Sequence, residues 1–209
     1  SLDKPAIPLM VDRFSVLADL SNNRIETEAP RPSLEFDPDN QRGLIDRYDL
    51  DERGAVALAP GAEFGPAKKW PASYYADVAK YCLSKGRQVW LLGSKKDSLD
   101  CQWIARQASG CVDLSGKTSL VDVVDLIALA EYLVCNDSGL MHVSASLKTK
   151  TLAIFGSTSE KFTPPLAGNS VVLSKTLACR PCFERVCPLG HLNCLKSISP
   201  EEAISRLSL

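Results

Sequence analysis

The sequence predicts an α/β fold: a Rossmann-like parallel sheet with helices on both faces. Three observations predict it. Short β-rich apolar runs take turns with longer segments of helical periodicity between Ala55 and Phe155, the pattern of consecutive βαβ units. Polar, glycine-bearing turns follow several of the apolar runs directly, where the ligand loops of open α/β sheets lie. Finally, 209 residues with 45% hydrophobic and 23% charged side chains suffice for one sizeable core and a small appendage, and describe a globular chain rather than a disordered or fibrous one.

From the start of the chain, Ser1-Leu2-Asp3-Lys4-Pro5 has neither an initiating methionine nor the basic-then-apolar order of a signal peptide, so the expectation is a cut or a tag scar within a longer protein. Over Pro8 to Leu20, the apolar residues Leu9, Met10, Phe14, Val16, Leu17 and Leu20 recur at helical spacing and predict one amphipathic helix. Ser21 to Asn40 reads as a polar linker, with Pro30, Pro32 and Pro38 favouring extended geometry over regular helix. Residues 1–40 are therefore assigned to a helix and linker, and 41–209 to the Rossmann-like domain, including a Cys-rich loop over 179–194.

Within that domain the expected order is strand Ala55–Ala59, helix Ser73–Lys85, strand Gln88–Leu92, helix Asp97–Ser109 and strand Cys111–Leu114. It continues with helix Leu120–Ala130, strand Tyr132–Cys135, helix Leu140–Leu147 and strand Thr151–Phe155. Ser170–Leu173 adds an edge strand, and Pro200–Leu207 a closing helix with Ser199 as N-cap and Pro200 at its first position. The longest apolar stretches, such as Leu126 to Cys135, are interrupted well short of the roughly 18–20 residues that a membrane span needs. A net charge of −1 recruits neither nucleic acid nor a membrane surface.

Three post-strand loops hold chemistry. Pro60-Gly61-Ala62-Glu63-Phe64-Gly65-Pro66-Ala67-Lys68-Lys69-Trp70-Pro71 has glycines that let main-chain amides approach a ligand, and lysines that supply point charge for phosphate. It reads equally as a solvated loop whose Trp70 and Pro71 cap a helix. In Leu92-Gly93-Ser94-Lys95-Lys96-Asp97 the carboxylate is placed either to accept from ribose hydroxyls or to cap the next helix, and the local pattern favours the cap. In Cys135-Asn136-Asp137-Ser138-Gly139-Leu140-Met141-His142 an apolar strand runs into a turn that opens a helix, leaving first-turn amides free to bind an anion. His142, on an otherwise apolar helix beside Met141 and Val143, is by default a core residue; the company of Asp137 and Gly139 raises it above that.

The first loop, the Asn136–His142 segment and Phe162-Thr163-Pro164-Pro165-Leu166 together resemble the signatures of the heptosyltransferases of glycosyltransferase family nine, and Asp3 to Ala18 resembles the interdomain connection of that family. The resemblance runs over nearly the whole chain. It implies the C-terminal half of a two-domain GT-B enzyme that moves L-glycero-D-manno-heptose from an ADP-heptose donor to the lipopolysaccharide inner core, with inversion. It implies catalytic roles for Lys68, Asp137 and His142, and donor contacts from Gly61, Lys69, Gly93, Ser94, Asp97, Ser138, Gly139 and Leu140. It also implies that the acceptor site and the base belong to an N-terminal domain that this sequence lacks, so the expectation is donor binding with little transfer. The location implied is cytoplasmic, with peripheral attachment to the inner membrane as an option because the acceptor is a lipid. Half of a nucleotide-sugar 2-epimerase and a non-catalytic nucleotide-binding module are the competing readings, since fold does not settle function.

Eight cysteines complete the inventory. Cys82, Cys101, Cys111 and Cys135 lie in apolar or helical patterns and read as inert packing residues. Cys179-x2-Cys182-x4-Cys187-x6-Cys194, with His191 in the last interval and Pro181, Pro188 and Gly190 among the turns, reads either as a structural zinc clip or as free or locally paired thiols. Catalysis of the kind implied requires no cofactor.

Overall fold

In a computed structural model, residues 9–18 and 31–209 are described. Six strands, β1 (Val56–Ala59), β2 (Val89–Leu91), β3 (Cys111–Asp113), β4 (Tyr132–Asn136), β5 (Lys150–Ile154) and β6 (Ser170–Leu173), pair in parallel in the order β3-β2-β1-β4-β5-β6. The chain winds outward one way from β1 and then the other way from β4. That reversal opens a crevice at the carboxyl ends of β1 and β4, where ligands of such sheets bind.

The alternation of side chains along each strand divides the core in two. Val56, Leu58, Val89, Leu91, Val134, Leu152 and Ile154 face α3 (Ala72–Ser84), α4 (Ser98–Gln107) and the C-terminal segment. Ala57, Ala59, Trp90, Leu92, Leu133, Cys135, Ala153 and Phe155 face α2 (Pro38–Tyr48), α5 (Leu120–Leu129) and α6 (Gly139–Leu147). Small residues on β1, such as Ala57 and Ala59, make room for Trp90 on the second face.

The strands and helices expected over residues 55–173 form within a residue or two of their expected ends, and β6 is the edge strand anticipated. At the C-terminus α8 spans Pro200–Ile204, with the Ser199 hydroxyl accepting from the Glu202 amide at 3.2 Å and Pro200 at its first position. A four-residue helix, α7 (Asn193–Lys196), precedes it. Near the N-terminus α1 spans Met10–Ala18, while the rest of the helix expected over 8–20 and the linker residues 19–30 lie outside the described residues.

The described part of the linker is not extended throughout. Pro38 opens α2 rather than excluding it, because it occupies the first helical position, where its missing N–H costs nothing. Asp37 caps it, accepting from the Asp39 and Asn40 amides. This helix shows little apolar periodicity because polar contacts fasten it. Asn40 Nδ2 donates to Asp125 Oδ2 at 2.6 Å, the Asp37 amide to Asp125 Oδ1 at 2.8 Å, and Gln41 Nε2 to the Asp125 carbonyl at 2.9 Å. Asp125 is buried in α5, and the Asn40 and Asp37 donors satisfy its carboxylate.

Candidate functional site

At the carboxyl end of β4, Asn136 is wholly buried and faces the loop that leaves β1. Its Nδ2 donates to the Pro60 carbonyl at 2.7 Å and to the Gly61 carbonyl at 3.2 Å, and its Oδ1 accepts from the Trp70 amide at 3.0 Å. One side chain thus holds both ends of the Pro60–Trp70 loop. Trp70 is itself buried, with its indole N–H on the Ile198 carbonyl at 2.9 Å.

Between those anchors the loop makes a single 3-10 turn over Pro66–Lys68. The turn brings the Lys68 ammonium to 2.6 Å from Asp137 Oδ2, with the lysine 13% and the aspartate 4% exposed. The Thr158 hydroxyl donates to the same carboxylate oxygen at 2.5 Å. Lys68 also lies over the ring of Phe64, 4.9 Å from its centroid, and Arg185 lies 5.1 Å from the same centroid. A largely buried cation is therefore held just past the end of β4 by a buried counter-ion.

Beside this pair α6 begins. Ser138 is its N-cap residue in extended geometry, and its side chain makes no capping hydrogen bond. By contrast the Ser94 and Ser119 turns are closed by reciprocal capping boxes with Asp97 and Asp122. The first-turn amides of α6 consequently lack a side-chain cap and adjoin the cavity.

That cavity has a volume of about 480 Å³, and Gly61, Gly93, Ser94, Asp97, Ser138, Gly139 and Leu140 all line it. Seven of the eight residues expected to contact a donor thus come together. Thr118, Ser119, Leu120 and Val123 form a further wall from the start of α5 that sequence reasoning did not single out. Lys69 turns elsewhere: its ammonium lies 3.1 Å from Asp100 Oδ2 and 3.9 Å from Asp97 Oδ1.

Asp97 does not cap the following helix as the local pattern suggested: it is the N-cap residue of α4 but its side chain makes no cap bond there, and it closes the preceding 3-10 turn instead. Its Oδ2 accepts from the Ser94 amide at 3.0 Å and the Ser94 hydroxyl at 2.7 Å. A Cβ on Gly61 would stand 2.6 Å from this carboxylate, and one on Gly93 would stand 2.9 Å from the Asp97 Cβ. The two glycines are the space that Asp97 occupies.

His142 sits on α6 one turn beyond Gly139 and lines a second, apolar cavity of about 660 Å³ with Leu9, Phe14, Leu34 and Phe162. Its ring is exposed at that rim, yet the surrounding protein lowers its pKa, with Lys68 adding to the effect and the Asp137 charge opposing it. Among the described residues, the hydrogen bonds to Asp137 Oδ2 come from Thr158 and Lys68, not from His142.

All eight cysteines are free thiols. Burial pushes the thiols of Cys82 and Cys101 up to about 12 and that of Cys111 to about 11, and raises Cys135 further, so these four stay protonated and unreactive. Cys179, Cys182, Cys187 and Cys194 all line a small cavity of about 40 Å³, Cys194 buried and the other three half-buried. Among the described residues no group of three or more His, Cys, Asp or Glu side chains stands in ready metal-ligating geometry. Nor is any helix among them long and apolar enough to cross a membrane.

The family model for glycosyltransferase family 9 (heptosyltransferase) matches residues 1–193. The chain belongs to glycosyltransferase family 9. It is 36% identical over 218 residues to lipopolysaccharide heptosyltransferase 2 of Escherichia coli (strain K12), covering 99% of this chain and 63% of that protein. It superposes with a TM-score of 0.84 and 34% identity on the structure of the E. coli ADP-heptose lps heptosyltransferase II, covering 99% of this chain and 62% of that one. A family 9 glycosyl transferase from Veillonella parvula, 23% identical, shares the fold with a TM-score of 0.75 over 92% of this chain and 56% of that one. The sheet and helices are those of the GT-B heptosyltransferases. The chain spans less than two thirds of the length of these relatives.

Proposed function

We propose that this chain is the donor-binding part of an inverting heptosyltransferase, which moves L-glycero-D-manno-heptose from ADP-heptose to the inner core of lipopolysaccharide. The observation that carries the reading is one cavity at the sheet's reversal point, lined by Gly61, Gly93, Ser94, Asp97 and the uncapped start of α6; Lys68 and Asp137 do not line it, but their ion pair immediately precedes the α6 start. A nucleoside diphosphate sugar needs a concave site with anion donors at one end and apolar walls at the other. The amides after Ser138 supply the first, with the Lys68 ammonium behind them on Asp137; Leu92, Leu120, Val123 and Leu140 supply the second.

Sugar transfer passes through an oxocarbenium-like state while negative charge builds on the departing ADP. Donors already aimed at that charge lower the barrier because they need not reorganise as it develops. Lys68 suits this role: Asp137, Thr158 and the Phe64 ring fix its position, so little side-chain freedom is lost when phosphate arrives. Asp97 with Gly61 and Gly93 shapes the floor of the nucleoside end, where its carboxylate is placed for ribose. Ser94 is its partner there. Lys69 holds Asp97 and Asp100 rather than phosphate, and His142 supports the α6 turn from the other cavity. Deprotonation of the acceptor calls for a carboxylate base, which we assign to the further domain of the longer relatives. The chemistry needs no cofactor, the acceptor is a lipid, and the site of action is the cytoplasmic face of the inner membrane.

Isothermal titration with ADP-heptose, ADP and a UDP-sugar tests the reading. Binding of both adenine ligands with no response to the UDP-sugar is expected. Preference for the UDP-sugar would turn the reading toward an epimerase half. Adenine-ligand binding with heptose transfer absent even after addition of the further domain of the longer relatives would leave only a binding module.

A further inference from the structure

An ion pair of lysine and aspartate does not by itself fix where its charges stand. To a single cation the two oxygens of a carboxylate are alike, and the second side-chain torsion of aspartate is broad and two-fold. A lysine ammonium is a point charge on a flexible four-carbon stem. Yet the Lys68 ammonium at 2.6 Å and the Thr158 hydroxyl at 2.5 Å stand on the same oxygen, Asp137 Oδ2. Among the described residues no hydrogen bond reaches Oδ1. The two donors come from the strands on either side. In the sheet order β1-β4-β5, Asp137 follows the middle strand, Lys68 belongs to the loop after β1, and Thr158 to the loop after β5.

The backbone sets the two donors in step. The Ser157 amide donates to the Ala67 carbonyl at 3.1 Å, and the next residue of each loop is Thr158 and Lys68. Gly156 permits this approach, because a Cβ there would stand 2.4 Å from the Ala67 carbonyl oxygen. Behind it, the Ser157 carbonyl accepts from the Cys182 and Phe183 amides at 3.0 and 2.8 Å, and the Gly156 carbonyl from Arg180 Nε at 2.7 Å. Thr158 is therefore carried on a braced segment. It is 7% exposed, and its β-branched side chain restricts the first torsion. Its hydroxyl has no second hydrogen-bond partner among the described residues. Of the three groups that meet at Oδ2, the hydroxyl of Thr158 is the stiffly mounted one.

We propose that Thr158 is a positioning residue of the donor site, a role that rests on the donor-binding reading above. Its hydroxyl selects Oδ2 and fixes the plane of the Asp137 carboxylate. Through that carboxylate it sets the place of the Lys68 charge beside the start of α6. An anion arriving at the α6 amides then meets a charge already in place, and less side-chain freedom is lost on binding.

Two measurements on the full chain separate this role from the reading it rests on. The first is unfolding without ligand. Thr158→Val and Lys68→Ala act on one oxygen, so their double-mutant cycle should show coupling of about fivefold or more in the unfolding equilibrium. Losses that simply add would overturn the proposal. The second is isothermal titration with ADP. Thr158→Val should bind it about tenfold more weakly than wild type, and Thr158→Ser, which keeps the hydroxyl, should stay within about twofold. In an Asp137→Ala background the valine should cause no further loss, since no carboxylate remains to be placed. The same loss in both backgrounds would show that Thr158 acts by packing, and unchanged affinity in Thr158→Val would leave it no role in binding; either result overturns the proposal and spares the donor reading. A wild-type chain that binds no ADP ends the donor reading instead, and the unfolding cycle alone then decides whether Thr158 places the pair.

Discussion

Asn136 Oδ1 accepts the amide hydrogen of Trp70 at 3.0 Å, while its Nδ2 donates to Pro60 and Gly61 on the far side of the same loop. The amide orientation follows from its partners, because an N–H needs an acceptor and two carbonyls need a donor. Asn136→Ala leaves buried backbone groups unpaired and should destabilise the fold by about 3 kcal/mol, since each unsatisfied group costs about 1–3 kcal/mol. Asn136→Asp should cost more, because it keeps the acceptor for Trp70 and turns an oxygen on the carbonyls of Pro60 and Gly61. Urea unfolding checks this: the midpoint should fall in the order wild type, Ala, Asp with the slope unchanged. An Asp variant as stable as wild type would show that the loop is held by something else.

The buried ion pair carries a second expectation. Lys68→Ala strands a carboxylate that is 4% exposed, and removing one partner of a buried pair costs about 3–5 kcal/mol; some relief comes from Thr158, which keeps its bond to Asp137. Asp137→Ala leaves a cation that reaches solvent more readily, so it should cost less. The double variant should be more stable than the sum of the two losses implies. Additivity to within about 0.5 kcal/mol in the double-mutant cycle would mean that the two groups do not act as a pair.

Gly61 is required by space rather than by backbone conformation. It adopts no left-handed φ, but an added Cβ would meet Asp97 Cγ and Oδ1 at 2.6 Å. Gly61→Ala should therefore displace Asp97 from its cap on Ser94 and narrow the cavity, costing about 1–3 kcal/mol as overpacking does. ADP should bind about tenfold more weakly, since 1.4 kcal/mol is a factor of ten. Asp97→Ala in the same chain should restore the room and part of the stability. If the second substitution adds its own loss instead, the contact between the two positions is not what limits alanine at 61.

The fold was legible because its strands are short apolar runs that show themselves locally, and because caps such as Ser199-Pro200 are readable over a few residues. What escaped was held by distant partners. Helix α2 packs Leu44, Ile45 and Tyr48 on the core only in its second half, and its first turn is fastened through Asp125, more than eighty positions away. Asn136 and Thr158 act on partners 66 to 76 and 21 positions distant, which no spacing rule reveals. The same limit applies to the lysine pair. Adjacent in sequence, Lys68 and Lys69 pair with different carboxylates, Asp137 for one and Asp97 with Asp100 for the other, and no local pattern reveals that division.

His142 gives the site a pH dependence whose sign follows from its surroundings. The protein around it lowers its pKa in the folded state below the ordinary value of about 6.5. Between the folded and the unfolded pKa the unfolded chain therefore binds more protons, and stability rises with pH across that window. The contribution is complete above the unfolded value and is lost as the pH falls through the folded one. Replacing His142 with Gln should flatten the profile there. The two neighbouring charges act in opposite directions, so Lys68→Ala should raise the histidine pKa and Asp137→Asn should lower it further. Following the imidazole resonance of His142 by NMR through a pH titration measures each shift directly. A resonance that titrates unchanged in both variants would mean that desolvation alone sets the value and that the Lys68–Asp137 pair does not reach the ring.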